Sequence, residues 1–161
     1  SSTDGAYGCT ACPKGTFDSG GIRCDSCPAG SYQPDLAAVS NGACLIAPAG
    51  KYVPFQGSSM AESCAAGSFS MNSGATACIV CSVRQTSTIG SSSCTACPSG
   101  EMSKAGDSSC TQCPAGRYAA SNGCDLCPAG QYSTIGSSSC SKCGDGEFAG
   151  AGSTSCDTCE S

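Results

Sequence analysis

The sequence contains no histidine and no tryptophan, and only seven of its 161 residues are lysine or arginine. Without histidine, no catalytic site that depends on an imidazole base is available. The net charge of −5 leaves no basic stripe to neutralise phosphates, so nucleic acid is not an expected partner. Large aliphatic side chains are sparse, and the apolar residues are mainly alanine and cysteine. Such a chain cannot bury a conventional hydrophobic core.

Long apolar runs are also missing. The longest, Ala43 to Ala47, falls far short of the roughly 20 residues that span a bilayer, so no membrane span is expected in this segment. The absence of an initiator methionine and of a charged leader is expected of a mature product or of a window from a longer chain.

Cysteine is present in excess, with 18 residues. This content is typical of a disulfide scaffold in which covalent cross-links replace a core. Disulfides persist in oxidising compartments, which predicts a secreted or cell-surface protein.

The cysteines follow a repeat of about 16 residues. Eight Cys-x-x-Cys pairs occur, namely Cys9/Cys12, Cys24/Cys27, Cys78/Cys81, Cys94/Cys97, Cys110/Cys113, Cys124/Cys127, Cys140/Cys143 and Cys156/Cys159. Between the second and third pairs lie the solitary Cys44 and Cys64, whose missing partner positions are Ala47 and Ala61.

A Cys-Pro-x-Gly-x-aromatic pattern accompanies each second cysteine. The glycine slot is broken only by Arg84. The aromatic slot holds Phe17, Tyr32, Tyr52, Phe69, Tyr118, Tyr132 and Phe148, with Thr86 and Met102 as exceptions. A later glycine recurs four residues before the next first cysteine, at Gly5, Gly74, Gly90, Gly106, Gly136 and Gly152.

Each unit is predicted to be a minimal β-hairpin. Proline and glycine set a tight turn, the aromatic starts a short strand, and the later glycine reverses the chain into a second strand. We therefore predict a small disulfide-rich β protein, a linear solenoid of about nine hairpin repeats with little regular secondary structure and no helix of note. Residues 1–161 form one array, and we expect stacked aromatics to make a thin spine.

The two missing cysteines indicate the pairing. If each bridge joins a second cysteine to the next first cysteine, the losses at Ala47 and Ala61 remove one whole bridge and orphan no sulfur. If each Cys-x-x-Cys closed on itself, Cys44 and Cys64 would be stranded unless they paired together. The predicted bridges are Cys12–Cys24, Cys27–Cys44, Cys64–Cys78, Cys81–Cys94, Cys97–Cys110, Cys113–Cys124, Cys127–Cys140 and Cys143–Cys156.

That pairing leaves Cys9 and Cys159 without partners. Joined tail to head, the spacing from Cys159 to Cys9 is that of an ordinary unit. Either the chain is part of a longer array, or copies join through a Cys159–Cys9 bridge, which yields a filament if it does not close into a ring. An intramolecular bridge is the remaining alternative, disfavoured because a linear stack separates its ends.

The run CPAGxY followed by Cys-x-x-Cys, as in Cys113 to Cys127 and Cys127 to Cys143, resembles the ephrin-receptor-type cysteine-rich repeats, which are similar to growth-factor-receptor and TNF-receptor cysteine-rich modules. The resemblance covers nearly the whole chain and implies a rod-like extracellular segment. It carries over no ligand-binding residue, because the shared positions are structural.

Three other chemistries fit the sequence less well. Cys-x-x-Cys pairs also occur in zinc sites, but a lost zinc site would remove four ligands together. A thioredoxin-like redox role needs a βαβ scaffold that the pattern does not predict. Asp145 and Glu147 lack the oxygen-rich loop of an EF-hand calcium site. We predict no enzyme activity, no metal and no other cofactor.

Serine clusters at the hairpin reversals are candidate O-glycosylation sites, with unmodified polar turns as the alternative. The candidates are Thr88, Ser91, Ser92, Ser93, Thr134, Ser137, Ser138 and Ser139.

The stretch 33–63 is irregular, with an insertion and one missing bridge. It carries the densest set of large apolar residues, which a thin rod cannot hide and which we predict to contact a neighbouring chain. A local satellite cluster is the alternative. The predicted lateral contacts are Leu36, Val39, Leu45, Ile46, Val53, Phe55 and Met60.

The expected function is that of a structural glycoprotein in an extracellular fibre, surface appendage or stalk, polymerised head to tail from copies of itself. The alternative is a ligand-binding or adhesion segment of a receptor-like surface protein.

Overall fold

The computed structural model describes residues 11–20, 23–36 and 43–159. Within them the chain forms eighteen strands of two or three residues, paired into nine antiparallel two-stranded hairpins, and no α-helix. The strands are β1 (Thr16–Asp18), β2 (Cys24–Ser26), β3 (Ser31–Tyr32), β4 (Leu45–Ile46), β5 (Lys51–Tyr52), β6 (Glu62–Ser63), β7 (Ser68–Phe69), β8 (Ile79–Val80), β9 (Gln85–Thr86), β10 (Thr95–Ala96), β11 (Glu101–Met102), β12 (Thr111–Gln112), β13 (Arg117–Ala119), β14 (Cys124–Leu126), β15 (Gln131–Tyr132), β16 (Ser141–Lys142), β17 (Glu147–Phe148) and β18 (Asp157–Thr158). The prediction of a small disulfide-rich β protein of nine hairpin repeats is confirmed.

Each hairpin belongs to one repeat, which begins at the position of a second cysteine. The nine repeats span residues 12–26, 27–46, 47–63, 64–80, 81–96, 97–112, 113–126, 127–142 and 143–158, and we number them 1 to 9. Repeat 3 begins at Ala47 in place of a cysteine.

A tight turn opens every repeat. In repeat 1 the Thr16 N–H donates to the Pro13 carbonyl at 3.1 Å, and Gly15 has φ +83°. A positive φ at the third residue is the requirement of a type II turn, which explains the glycine slot. The first strand starts at the residue after this glycine, one position earlier than the predicted start at the aromatic.

The chain divides into two compact units. One comprises Ser1–Cys64 and Ser70–Cys78, and the other comprises Ala65–Phe69 and Ile79–Ser161. In each unit, backbone hydrogen bonds join consecutive repeats.

Sulfur occupies the centre of each unit. The second cysteines of repeats 1, 2 and 4 to 8 are buried, as is Ala47 at the same position of repeat 3. The aromatic side chains are only half-buried, and Phe148 is exposed. The expected spine of stacked aromatics therefore stays a prediction, and cysteine supplies most of the fully buried side chains.

Eight disulfides close eight of the nine hairpins, each with a Cα–Cα distance between 5.5 and 5.8 Å. Every bridge joins the second cysteine that begins a repeat to the first cysteine near its end. The bridges are Cys12–Cys24, Cys27–Cys44, Cys64–Cys78, Cys81–Cys94, Cys97–Cys110, Cys113–Cys124, Cys127–Cys140 and Cys143–Cys156.

Candidate functional site

The feature that recurs along the chain is the junction between consecutive repeats, which contains up to three kinds of backbone hydrogen bond. The first runs from the turn glycine of one repeat to the residue after the aromatic of the next, as in Gly15 N–H to Gln33 O at 2.8 Å. The second returns from the next second cysteine, as in Cys27 N–H to Gly15 O at 2.9 Å. The third runs from the later glycine, as in Gly57 N–H to Cys27 O at 2.8 Å.

A buried serine strengthens several junctions. The residue after the aromatic slot is Ser87, Ser103 or Ser133 in repeats 5, 6 and 8, and each is nearly inaccessible to solvent. Their hydroxyls donate to strand carbonyls of the preceding repeat, with Ser87 bonding Ser68 O at 2.8 Å and Ser133 bonding Arg117 O at 2.8 Å. Such a buried hydroxyl needs a partner, and here it finds one across a junction.

Sequence reasoning missed this serine column, although a signal existed. Ser70, Ser87, Ser103 and Ser133 each follow the aromatic slot directly. Composition alone assigns serine to the surface and to turns, and only the packing shows that these four serines face inward.

The turn glycines contact the later glycine two repeats ahead. A Cβ atom on Gly15 would overlap the Gly57 carbonyl oxygen, and one on Gly100 would overlap that of Gly136. The same overlap occurs between the pairs Gly30/Gly74, Gly67/Gly106 and Gly116/Gly152. Glycine is therefore favoured at this position for two reasons. The backbone has a positive φ, and a neighbouring backbone carbonyl leaves no room for a Cβ atom.

Arg84 is the one exception to glycine among the described turn residues. It adopts the φ of the missing glycine, +64°, and is the one positive-φ residue other than glycine in the described chain. Two repeats ahead, repeat 7 has the shortest loop, with a Cys113–Cys124 separation of 11 residues and a reversal without the usual glycine.

In the last two repeats the turn glycines are exposed to solvent, unlike those of most earlier repeats. Gly15, Gly30, Gly50, Gly67, Gly100 and Gly116 are buried, whereas Gly130 and Gly146 are exposed. Cys143 is half-buried, and Cys159 is an exposed free thiol. The Cys159 N–H donates to Gly146 O at 2.9 Å, as the second cysteines from Cys27 to Cys143 do to the turn residue of the preceding repeat. Its predicted partner, Cys9, lies outside the described residues.

Repeat 3 keeps its hairpin without a bridge. Ala47 is buried in the cysteine position, and its N–H donates to Gly30 O at 2.9 Å. Across the hairpin the Tyr52 hydroxyl donates to Glu62 Oε2 at 2.8 Å. That hydrogen bond and the carboxylate charge raise the pKa of Tyr52 above its usual value, because both favour the protonated phenol.

The apolar residues predicted as lateral contacts divide into two groups. Val53 is fully buried, so its assignment to a lateral surface is wrong: it occupies the junction position that serine fills elsewhere. Val39 lies outside the described residues. The other five side chains are exposed, namely Leu36, Leu45, Ile46, Phe55 and Met60.

The candidate glycosylation sites also divide by environment. Thr88 and Ser91 lie 3.1 Å apart, oxygen to oxygen, within a turn, and Ser137 Oγ donates to Thr134 O at 2.7 Å. The exposed residues of the set are Thr88, Thr134, Ser92, Ser93, Ser138 and Ser139, and the two threonines lie within hydrogen-bonding distance of Ser91 and Ser137. Modification of Ser92, Ser93, Ser138 or Ser139 would leave these side-chain contacts intact.

One group of potential metal ligands occurs in the described chain. Ligand atoms of Cys143, Glu147 and Cys156 lie within 4.8 Å of one another. The two sulfurs are bonded to each other and offer no thiolate, and Glu147 Oε2 already accepts the Gly144 N–H at 2.9 Å. The geometry thus places the Glu147 carboxylate in a turn, as a backbone cap.

A groove of about 300 Å³ lies where repeat 7 has its shortened loop. Met102 and Pro114 contribute apolar surface, and Lys104, Gln112 and Asn122 contribute polar side chains. It combines apolar and polar groups as small binding sites do.

A family model described as "Tyrosine-protein kinase ephrin type A/B receptor-like" matches residues 18–64. No curated protein matches the chain. Together with the disulfide-closed hairpins, the match supports ephrin-receptor-like cysteine-rich repeats.

Repeats of this family are non-catalytic and form part of extracellular receptor segments. The disulfides and the match fit an extracellular location. No described residue belongs to a helix with the length and apolarity needed to cross a bilayer.

Proposed function

We propose that this array of ephrin-receptor-like repeats is a structural protein of an extracellular fibre, surface appendage or stalk. The observation that carries the proposal is the junction, because the recurring residues of the repeat serve to hold the next repeat. Turn glycines, buried serines and cystines all serve this contact. Stability of this kind is a sum over neighbours, which suits an extended support.

The groups left uncovered on repeat 8, on repeat 9 and at Cys159 fit the addition of a further repeat. Gly130 and Gly146 are exposed where their counterparts are covered, and Cys159 offers a thiol in the second-cysteine position. We propose that another copy of this chain covers them, with Cys9 supplying the first cysteine of the new bridge. The contact is heterologous, so copies extend into a filament unless the rotation closes a ring.

Non-reducing peptide mapping of native material, with electron microscopy, tests the proposal. We expect multimers that contain a peptide joining Cys159 to Cys9, and their conversion to monomers by reductant. Cys159→Ser should give monomers that retain the eight internal bridges. Free thiols at both cysteines, or a Cys9–Cys159 link within a monomer, would overturn it.

A ligand-binding segment of a receptor-like surface protein is the second candidate, and the groove beside the short loop of repeat 7 favours it. Lys104, Gln112 and Asn122 lie around the apolar surface of Met102. If this groove binds a ligand, Gln112→Arg should abolish attachment of the chain to its target surface, whereas Thr158→Arg should not. Equal attachment by the two variants would exclude the groove.

The exposed apolar residues of repeats 2 and 3 fit side-by-side packing in the same proposal. Ile46, Phe55 and Met60 expose more than half of their surface, and burying them against a neighbouring copy would remove apolar area from water. Phe55→Ser should then reduce bundling of filaments in electron micrographs and leave their length unchanged. Undiminished bundling would exclude a contact through Phe55.

A further inference from the structure

The disulfides of the described chain leave one long stretch of backbone outside every covalent loop. Most consecutive bridges are separated by a Cys-x-x-Cys step, as from Cys24 to Cys27. Between Cys44 and Cys64 the chain instead runs through 20 residue steps (64 − 44 = 20) with no bridge across it. We call residues 44–64 the unbridged segment.

The unbridged segment contains a complete hairpin that only non-covalent contacts hold. Strands β5 and β6 pair through Lys51↔Ser63 and Tyr52↔Glu62. An isolated two-stranded hairpin is marginal in water, and eight of the nine hairpins have a disulfide to offset this. The hairpin of repeat 3 relies on its neighbours instead.

Contacts with repeats 2 and 4 stabilise the hairpin of repeat 3 when no force acts on the chain. Val53 is fully buried, its N–H donates to Ala75 O at 2.9 Å, and its carbonyl accepts the Gly30 N–H at 2.9 Å. The Ala47 carbonyl accepts the Gly74 N–H at 2.7 Å. All these bonds are non-covalent, so a load that exceeds their strength opens them together.

A pulling force follows the covalent path through the chain. In a bridged repeat the path passes through the disulfide, and only the short Cys-x-x-Cys step can lengthen. In repeat 3 the path follows the backbone from Cys44 to Cys64. Twenty extended residue steps span about 70 Å at 3.3–3.6 Å each, against about 10 Å for a Cys-x-x-Cys step.

We infer that the unbridged segment is a load-limiting element, which extends under tension and lengthens the array while its disulfides stay intact. The biological use of this element rests on the proposed structural role, although the mechanical behaviour of the single chain does not. The missing bridge at Ala47 and Ala61 is then the feature that sets where the array extends.

Single-molecule force extension of the full oxidised chain, held by peptide tags at both termini, tests the inference. We expect one dominant step of about 70 Å less the folded distance between Cys44 and Cys64. The double variant Ala47→Cys/Ala61→Cys, oxidised and checked by non-reducing peptide mapping, should lose this step. Ala47→Ser/Ala61→Ser, which adds polar atoms without a bridge, should retain it.

Two results would overturn the inference. They are the absence of the step in the native chain and its persistence in the double variant whose mapping shows the bridge between positions 47 and 61 formed. Neither of them bears on the Cys159–Cys9 link, so a failure here and a failure of the polymer proposal are distinguishable.

Discussion

The Tyr52 hydroxyl donates a 2.8 Å hydrogen bond to the Glu62 carboxylate across the one hairpin that no disulfide closes in the described chain. The two residues are directly opposed in the register of β5 and β6. A polar cross-strand pair thus joins the strands of the hairpin that lacks a covalent link.

Removing this hydroxyl should loosen repeat 3 selectively. Tyr52→Phe is expected to speed hydrogen exchange of the Val53 amide, because the pair and the junction bond of Val53 belong to the same hairpin. Tyr132→Phe is the matched control, since Tyr132 faces Ser141 in a hairpin that a disulfide closes. Equal effects of the two variants on exchange in repeat 3 would contradict a special role for the Tyr52–Glu62 pair.

The same pair should give the protein an alkaline transition. The folded chain raises the pKa of Tyr52, so the stability contributed by the pair is complete below the ordinary tyrosine pKa of about 10 and is lost as the pH rises through the raised value. Tyrosinate absorbance should show a late phase, above the ordinary tyrosine pKa, that belongs to Tyr52. Glu62→Gln should remove that late phase, and superimposable curves would count against the pair.

Adding a side chain should lower the free energy of unfolding far more at a buried turn glycine than at an exposed one. Gly100→Ala forces a Cβ into the Gly136 carbonyl, and we expect a loss of about 3 kcal/mol or more in the free energy of unfolding. Gly146→Ala meets open space and should cost only the left-handed backbone penalty, about 1–2 kcal/mol. Denaturant unfolding with intact disulfides measures both, and similar losses would refute the overlap.

Arg84 offers the reverse experiment. Its φ of +64° carries a penalty that glycine avoids, so Arg84→Gly should stabilise the chain. The gain should be about 0.5–1 kcal/mol after the extra freedom of glycine in the unfolded chain is subtracted. Arg84→Ala keeps the Cβ and should show no gain. If alanine stabilised as much as glycine, the side chain and not the backbone would be responsible.

The buried serine column should contribute through its hydroxyls. Ser103 Oγ donates to Gln85 O at 3.0 Å, and Ser103→Ala is expected to lower the free energy of unfolding by about 1 kcal/mol. Ser109 is exposed in the same repeat, and Ser109→Ala should change it by less than about 0.5 kcal/mol. Thermal unfolding measures both variants. Equal losses of stability would contradict a contribution from the buried serine hydroxyls.

The exposed serines Ser92, Ser93, Ser138 and Ser139 should carry any O-linked sugar in native material. Intact mass is expected to exceed the polypeptide mass, and replacing these four serines by alanine should remove the excess. Replacing Thr88 and Thr134, which lie in turns, is the comparison and should leave most of it. A native mass equal to that of the bare polypeptide would reject the glycan.

The repeat could be predicted because its signals are local. Cysteine spacing, the proline–glycine turn and the aromatic slot all fall within one unit, where chain geometry alone fixes a hairpin. The absence of cysteine at both Ala47 and Ala61 also indicated the pairing, because the loss of one disulfide removes two cysteines together. Val53 was misassigned for the opposite reason. Its environment is formed by residues of repeats 2 and 4. The sequence of the irregular stretch does not show that these two repeats bury the Val53 side chain.

Composition and spacing by themselves determined that this protein is a chain of small covalently closed hairpins without a hydrophobic core. Tertiary structure alone decided what fills the centre, namely cystines, inward serines and glycines that touch the backbone two repeats ahead. The physical reason is range. A disulfide loop of a dozen residues is encoded within itself, whereas the contact between Gly100 and Gly136 depends on how far each repeat advances along the stack, which no single repeat specifies.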